Sequence, residues 1–448
     1  MGSCVSGFKE GHQMQQQPQI HAGVLSTPPD TPPFASNSKR THSDENLDKT
    51  EEEGIVPSRE IRCSADESSV NLEVLQQQSV LLLHGVKQRY VYTTNQDIPK
   101  LQNENEMLVR VEAIGLNPID WKAPDFGFGL PALPRISGRD LAGKIVRASA
   151  KRSRFQKGDS VIGVSTDYRD SRKSAYQEYA VVPTFNACRI PHHLSFINAA
   201  PVGVAFVAGA LALGICMGLR FSECGRNPGP DILQTIRSLP RETLPKDVRE
   251  ECFDHLNEDE RVQSGEWLVI WGGSSASGCC AVQLAKLVGL KVIAVVDIAR
   301  SGERMLKYGA DLLVDRHDTA RAVEIVKSIT KGRLRFGFDT RGRESATLLA
   351  QAMQNDAQAG TRSHLVGLTG LPKEPTEGVV YHSVPIKVFH EVPTVGDGLM
   401  LWLEQLLEKR LIFTPEVQIA EGGLEGINNA LDRLRDGTVN GPRIVVIL

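Results

Sequence analysis

The chain has 448 residues, enough for two or three domains, and its 41% hydrophobic content supports a packed core. Its formal net charge of −3 provides no excess of positive charge, so we expect no nucleic-acid partner. None of the eight cysteines forms a C-x-x-C pair, which argues against a zinc knuckle or a redox motif. We therefore expect reduced thiols in a cytoplasmic protein.

Residues 1–76 are rich in Gln, Pro and acidic side chains, and we expect this tail to be disordered because it buries too little apolar surface. Its start, Met1-Gly2-Ser3-Cys4-Val5-Ser6, matches the M-G-x-x-x-[ST] signature for myristoylation of Gly2, with Cys4 as a palmitoylation candidate. If both are acylated, the tail tethers the protein to the cytoplasmic face of a membrane. If the match is accidental, the protein is free in the cytoplasm.

Alternating apolar residues separated by turn residues predict several short strands over 77–199, which indicates a small, mostly β domain. The stretch 199–219 that follows carries no charge and is long enough to cross a bilayer. Because this stretch is rich in Ala and Gly, we favour a helix that is buried between two domains.

Strands and helices alternate over residues 200–395, which predicts a parallel, doubly wound sheet. A charged insertion at 220–264 interrupts this region, and two short helices are predicted in it, over 230–239 and 245–256. Residues 396–448 are expected to form a helix, a strand over 413–418, a second helix and a terminal strand.

A Gly/Ser-rich segment directly after the predicted strand 267–271 is the strongest chemical signal in the chain. Gly273, Ser275 and Gly278 occupy the glycine positions of G-x-G-x-x-G, and we expect a tight turn at Gly273 and a helix from about Cys279. Such a turn admits a pyrophosphate, which the helix N-terminus binds. An ordinary strand–helix turn has a similar pattern. The candidate cofactor contacts are Gly273, Ser274, Ser275, Ala276, Ser277 and Gly278.

Asp297 ends the next predicted strand, nineteen residues after Gly278, at the spacing that favours a dinucleotide site. Its carboxylate would bind the adenosine ribose and repel a 2′-phosphate, which favours NADH. Arg300 could instead bind that phosphate, which favours NADPH, so the choice of cofactor stays open. A helix N-cap at Asp297 is the structural alternative and is compatible with a ribose contact.

From about Val80 to Leu448, the chain resembles the medium-chain dehydrogenase/reductase superfamily, and within it the zinc-independent quinone oxidoreductases and fungal trans-acting enoyl reductases. The motifs that carry the resemblance are VRVEAIGLNPIDWK, SGRDLAGKIV, KGDSVIGV, AYQEYAVV, GGSSASG, YGADLLVD, FGFDTRG and NGPRIVVIL. The resemblance implies an α/β fold in which a Rossmann domain is inserted into a GroES-like, mostly β catalytic domain. Residues 396–448 would then return to the catalytic domain, and the substrate would bind between the two.

The resemblance also places the chemistry. Zinc members have Cys where Asn117 stands and Gly-His-Glu where Gly138-Arg139-Asp140 stands, so we expect no catalytic zinc. Asn117 is implied to position the nicotinamide, and Lys122 to polarise or protonate the substrate, unless Lys122 is a solvent-facing loop residue. Asp120 is interpreted as a structural carboxylate. Backbone at Gly367 and Leu368 is implied to border the nicotinamide, and Arg443 to close over the cofactor.

The sequence therefore predicts a cytoplasmic, NAD(P)H-dependent oxidoreductase, monomeric or homodimeric, that reduces an activated C=C bond or a quinone in a small lipophilic substrate. The alternative is a catalytically weak or inactive cofactor-binding protein that acts as a membrane-tethered partner. The Ser in the glycine loop, the insertion and the lack of a family Thr in Val207-Ala208-Gly209-Ala210 favour that alternative.

Overall fold

The structure, a computed structural model, describes residues 76–148, 153–354, 360–439 and 441–448. The acylation candidates Gly2 and Cys4, and the tail up to residue 75, lie outside these residues. The interpretation of the tail as a disordered, acylated tether therefore stays a prediction.

The N-terminal half of the described chain forms two antiparallel sheets. Its longest strand has side chains buried on both faces, because a helix and a second layer of strands cover the sheet. The first helix starts with a proline and ends at Gly127, whose φ of 71° is readily adopted by glycine. The elements are β1 (Gln77–Leu83), β2 (Val91–Asp97), β3 (Glu106–Gly115), α1 (Pro118–Phe126), β4 (Arg135–Ile136), β5 (Asp140–Ala148), β6 (Ser160–Val164), β7 (Tyr179–Pro183) and β8 (Ala187–Arg189).

A long apolar helical stretch crosses from this half to the next. It comprises α2 (Phe196–Ala199), α3 (Gly203–Leu211) and a π-helical turn (Ala212–Cys216). It is the one helical stretch in the described chain that is long and apolar enough to span a bilayer, and 94% of its most apolar window is buried in the protein. Small residues permit this, since a Cβ at Gly209 would lie 3.4 Å from the backbone N of Ala281. The stretch is thus a buried core helix, as expected.

The second half contains a six-stranded sheet in which every pairing is parallel, in the order β11-β10-β9-β12-β13-β14. Helices cover both faces, so the inner strands are continuous apolar runs. The elements are α4 (Ile232–Arg237), α5 (Arg249–Phe253), β9 (Trp267–Trp271), α6 (Ala276–Leu287), β10 (Lys291–Val296), α7 (Ile298–Lys307), β11 (Leu312–Asp315), α8 (Thr319–Thr330), β12 (Phe336–Asp339), α9 (Arg343–Ala352), β13 (Ser363–Gly367), β14 (Val379–Ser383), α10 (Lys387–Glu391) and α11 (Pro393–Glu408).

The C-terminal segment returns to the first sheet. It contains β15 (Val417–Ala420), α12 (Gly423–Arg435) and β16 (Arg443–Ile447). β16 pairs antiparallel with β3, and the sheet order is β15-β16-β3-β5-β6-β8, with β7 also paired to β3. β15 starts at Val417, later than the predicted strand over 413–418, because Pro415 has no N–H group for a ladder.

The two insertion helices are shorter than predicted: α4 has six residues and α5 has five. The insertion is held by tertiary contacts instead. Arg261, almost fully buried, donates to both carboxylate oxygens of Asp231 at 2.8 and 2.9 Å. Trp402 of α11 donates to the carbonyl of Asn227 at 3.0 Å and packs on Phe221. Packing, rather than helix propensity, therefore orders this segment.

Candidate active site

The glycine turn between β9 and α6 is shaped by two close contacts. Gly272 has a φ of 81°, and the Ser275 backbone N–H donates to the Gly272 carbonyl at 2.9 Å, so Gly273 lies inside the tight turn, as predicted. The sequence pattern alone could not decide which of two adjacent glycines takes the left-handed conformation. A Cβ at Gly278 would lie 2.6 Å from the carbonyl oxygen of Gly272, so only glycine lets the helix approach the strand this closely.

Ser275 fixes the start of α6. Its hydroxyl oxygen accepts from the backbone N–H of Gly278 at 3.0 Å, which makes Ser275 the N-cap. The helix therefore begins at Ala276, and the expected start at about Cys279 is wrong by one turn. The same hydroxyl donates to Thr340 Oγ1 at 2.9 Å, which ties the turn to the loop after β12.

The turn has the donors that a diphosphate requires. The backbone N–H groups of Ser274, Ala276 and Ser277 make no hydrogen bond to any described residue, and they lie at the positive end of the α6 dipole. Because the glycines of the turn have no side chains, a ligand can approach these N–H groups. The residues present therefore fit the pyrophosphate of a dinucleotide.

Asp297 lies at the carboxyl end of β10 and caps α7, where its Oδ1 accepts from Arg300 N at 3.2 Å. Its Oδ2 lies 3.1 Å from His317 Nε2, and the Arg300 and Arg316 guanidinium groups each approach it to 3.8 Å. The hydrogen bond from His317 is the main cause that lowers the pKa of Asp297. Two arginines and a histidine thus surround the carboxylate expected at the adenosine ribose.

Two more basic side chains, Arg341 and Lys122, follow Arg316 as successive charged neighbours. Arg341 follows β12 and lies across the glycine turn, with its Cγ 2.8 Å from where a Gly272 Cβ would stand. Burial and then the neighbouring Arg316 lower the pKa of Arg341, while burial and then Arg341 lower the pKa of Lys122. Neither Arg341 nor Lys122 has a carboxylate partner within 4.0 Å in the described chain. We call Arg300, Arg316, Arg341 and Lys122 the basic row.

Asn117 lies in a buried polar network rather than on the surface of the cleft. Its Nδ2 donates to Asp140 Oδ2 at 3.0 Å, and its Oδ1 accepts from the Arg443 guanidinium at 2.8 Å. Arg443 also donates to the Leu116 carbonyl at 2.6 Å, so the structure turns this arginine towards Asn117. The expected closure of Arg443 over the cofactor stays a prediction. Burial raises the pKa of Asp140 to about 6.

The positions that carry zinc ligands in the zinc enzymes hold a different arrangement. The Arg139 guanidinium stacks on the Tyr168 ring at 3.9 Å, and its Nε lies 3.7 Å from the Asp120 carboxylate. Asp120 accepts from the Asn117 backbone N–H at 2.8 Å, which agrees with a structural role in capping α1. Tyr176 is fully buried beside Asp120. A small pocket lies here, lined by Tyr90, Ile119, Asp120, Arg135, Arg139 and Tyr168, among others.

Gly367 and Leu368 lie at the carboxyl end of β13. A Cβ at Gly367 would lie 2.5 Å from the Gly370 carbonyl oxygen, so the chain packs tightly there. The Leu368 backbone N–H already donates to the Asp339 carbonyl at 2.8 Å. A contact between Leu368 and a nicotinamide would therefore use its carbonyl group.

Arg316, His317 and Arg341 were not identified from the sequence as site residues. Each follows a strand of the parallel sheet at its carboxyl end, where ligands of such sheets bind. Arg316 directly follows the quoted motif YGADLLVD, and Arg341 lies within FGFDTRG. A rule that examines the residues after every strand, and not only after the first two, would have found them.

Two family models match the chain. The alcohol dehydrogenase GroES-like domain matches residues 103–192, and the zinc-binding dehydrogenase domain matches residues 276–395. The first range covers the antiparallel sheet with α1, and the second runs from the start of α6 past β14. The fold is therefore a Rossmann domain inserted into a GroES-like domain, as expected.

Curated relatives cover most of the chain. Trans-enoyl reductase FMN2 of Fusarium mangiferae is 28% identical over 76% of this chain and 92% of its own length. Trans-enoyl reductase BOA5 of Botryotinia fuckeliana is 27% identical over 78% of this chain and 94% of its own. Among solved structures, the quinone oxidoreductase of Pseudomonas syringae pv. Tomato shares the fold, with a TM-score of 0.61 and 17% identity over 83% of this chain and 100% of that one.

The fold and the site define an oxidoreductase with an NAD(P)-binding domain. The chain belongs to the medium-chain dehydrogenase/reductase superfamily, in its enoyl reductase-like branch. The glycine turn, the candidate site for the cofactor, follows β9 in the second domain, and the candidate catalytic residues Asn117 and Lys122 lie in the first.

Proposed function

We propose that this protein is an NADPH-dependent reductase of an activated C=C bond, such as that of an enoyl thioester or enone, and that it acts without catalytic zinc. The observation that carries the proposal is the basic row of Arg300, Arg316, Arg341 and Lys122. The row starts at Asp297, crosses the glycine turn and ends at the helix of the catalytic domain. A dinucleotide has the same order of parts: ribose, diphosphate and nicotinamide.

The preference for NADPH follows from the charges around Asp297. A lone carboxylate repels a 2′-phosphate, but Arg300, Arg316 and His317 all lie within 4 Å of this one. Arginine binds phosphate with two parallel hydrogen bonds, and two arginines outweigh one carboxylate. The guanidinium groups of Arg316 and Arg341 repel one another. The negative charge of a 2′-phosphate would offset this repulsion.

The roles of the protein residues follow from their positions. The bound nicotinamide supplies a hydride to the β-carbon of the substrate. Lys122 stands at the end of the basic row without a carboxylate partner, and its lowered pKa makes it a better proton donor to the enolate oxygen or α-carbon. Asn117 is held by Asp140 of β5 and Arg443 of β16, and so its amide fixes the start of α1, which carries Lys122, against the sheet of the catalytic domain.

The absence of catalytic zinc is supported by the chemistry of the side chains at its expected position. Asn117 offers an amide and Arg139 a cationic guanidinium, neither of which is a zinc ligand. The guanidinium would also repel a bound cation. Hydrogen bonds and a neighbouring ammonium group can polarise an α,β-unsaturated carbonyl without a Lewis acid.

The substrate is proposed to be lipophilic, in keeping with the names of the trans-enoyl reductase relatives. The test is the loss of NADPH and NADH absorbance with a panel of enoyl thioesters, enones and quinones. We expect turnover of at least one enoyl thioester or enone, with NADPH preferred. Turnover of quinones alone would reassign the acceptor. No turnover, with NADPH still bound, would favour the non-catalytic alternative.

A further inference from the structure

A second cluster of polar side chains lies where the insertion packs on the edge of the parallel sheet. Cys216 ends the π-helical turn, Glu251 lies in α5 of the insertion, and His382 lies in β14. Cys216 and His382 have no exposed surface, and Glu251 is 7% exposed. This cluster is separate from the proposed active site. The two lie at opposite ends of one helical stretch: Gly203 contacts Asp140 at its start, and Cys216 is thirteen residues, or about 20 Å, further along.

The ligand atoms of these three residues converge. The Cys216 sulfur, a Glu251 carboxylate oxygen and a His382 ring nitrogen all lie within 4.8 Å of one another. His382 Nδ1 is 2.5 Å from Glu251 Oε1, and the Nδ1 of His255, which follows α5, is 3.2 Å from Glu251 Oε2. A thiol, a carboxylate and one imidazole thus converge, and the His255 imidazole contacts the other oxygen of the same carboxylate.

The surroundings match those of a metal centre. A histidine that binds a metal normally donates its other ring N–H to a fixed partner, and His382 Nε2 lies 2.9 Å from His364 Nδ1. The Ser383 backbone N–H donates to Glu251 Oε2 at 3.2 Å, which orients the carboxylate. The His255 side chain is 35% exposed, so it provides a path for an ion from solvent.

We propose that Cys216, Glu251 and His382 bind one divalent cation of the zinc class, that the adjacent, partly exposed His255 moves in as the fourth ligand, and that the ion fastens the insertion to the Rossmann sheet. One sulfur, one oxygen and two nitrogens are ligand types that tetrahedral Zn²⁺ accepts. On binding, the ion replaces the thiol proton of Cys216 and the shared imidazole protons, which leave to solvent. Ligands about 2.0–2.1 Å from a tetrahedral zinc lie about 3.3 Å apart, so the His382–Glu251 contact must open by less than about 1 Å.

The test is a titration of the full, chelator-treated chain with Co²⁺, which reports its ligands without any need for activity. We expect saturation at one equivalent, visible bands of tetrahedral cobalt and a near-ultraviolet thiolate-to-cobalt band. Zn²⁺ should displace the cobalt with an apparent Kd below about 1 µM and raise Tm. A wild-type chain that shows no saturable one-equivalent binding would overturn the proposal.

Two variants locate the site. Cys216→Ser should lose the charge-transfer band and weaken zinc binding at least about tenfold, whereas Cys188→Ser, a buried cysteine of β8, should keep both. If Cys216→Ser does not fold, the partly exposed His255→Gln provides the second measurement and should also weaken binding. An unchanged charge-transfer band in Cys216→Ser, or unchanged affinity in His255→Gln, would contradict the assignment. Neither outcome bears on the proposed reductase activity.

Discussion

Asp297 shows how one residue satisfies two interpretations that the sequence left open. Its Oδ1 caps α7 while its Oδ2 faces His317 and two guanidinium groups, so the cap and the cofactor contact use different oxygens. The identity of the neighbours, and not the carboxylate itself, then decides how a 2′-phosphate is received. Single substitutions at this point should therefore change cofactor preference without changing the fold.

We predict that Asp297→Ser raises the ratio of NADPH to NADH affinity by about tenfold, or about 1.4 kcal/mol, because it removes a negative charge beside the phosphate. Serine retains the cap on α7. Arg316→Ala should shift the ratio in the opposite direction. Titration calorimetry with both cofactors measures this, and equal ratios in all three proteins would show that neither side chain reaches the ribose.

Lys122 is the residue on which the proposed proton transfer depends. It is half-buried, 5.7 Å over the Trp121 ring, with burial and Arg341 both lowering its pKa. We predict that Lys122→Met lowers kcat by about 100-fold, a typical contribution of general acid catalysis, with little change in cofactor affinity. Lys122→Arg keeps the charge but donates poorly, so it should bind NADPH normally and also turn over slowly. Normal turnover in Lys122→Met would leave backbone N–H groups as the candidates.

At the scale of elements, α10 contacts the catalytic half, and one of these contacts is made by a buried histidine. His390 Nδ1 lies 2.7 Å from the Thr166 hydroxyl, and the histidine side chain is only 8% exposed. Burial lowers the pKa of His390 from 6.5 to about 4, with Asp167 and Glu391 opposing and Arg169 and Lys173 assisting. The imidazole is therefore neutral at pH 7 and shares one hydrogen bond with the threonine hydroxyl.

This lowered pKa predicts a pH dependence of stability. The unfolded chain binds a proton at His390 below about pH 6.5, but the folded chain does so only below about pH 4, so acid favours unfolding across this window. We expect His390→Gln, which retains an acceptor for Thr166, to lose less stability than the wild type between pH 7 and 5. The difference should be on the order of 1–2 kcal/mol by urea denaturation. Parallel pH profiles in both proteins would show that this histidine does not titrate as expected.

Elements with a strong hydrophobic pattern were predictable from the sequence. The limits of elements that depend on contacts between distant residues were not. The predicted strand 267–271 matches β9, because a buried parallel strand is a continuous apolar run. The insertion helices were predicted too long, since proline and acidic residues mark a helix start but not its end. Their actual limits depend on pairs such as Arg261–Asp231, whose partners are thirty residues apart.

At the scale of the whole molecule, one buried helical stretch contacts the first half, the Rossmann half and the returning C-terminal strand. The first turn of α3 donates to Asp140 of the catalytic half, the helix packs on α6 of the Rossmann half, and the chain then leads to Cys216 beside the insertion. The cofactor turn, the candidate catalytic residues and the proposed metal cluster are thus attached to one element.

The predicted tail adds a property of the whole molecule that lies outside the described residues. A coil of about 70 residues spans roughly 45–50 Å, enough to hold the enzyme near a bilayer without restricting it. We predict that Gly2→Ala, expressed in the native cell type, abolishes membrane fractionation, and that Cys4→Ser weakens it, since stable anchoring takes two acyl chains. A wild-type protein that is wholly soluble, with a free or acetylated N-terminus by mass spectrometry, would refute acylation.

The sequence by itself determined the order of strands and helices, the glycine turn, Asp297 and the absence of thiol and imidazole at the expected zinc position. These depend on local patterns or on residue identity, which do not require knowledge of distant neighbours. Tertiary structure alone decided that Arg443 binds Asn117, 326 residues away, and that Arg316 and Arg341 join Lys122 in one row. It also brought Cys216, Glu251 and His382 together. Burial, charge and hydrogen bonding act through space, and the spacing of residues along the chain does not encode them.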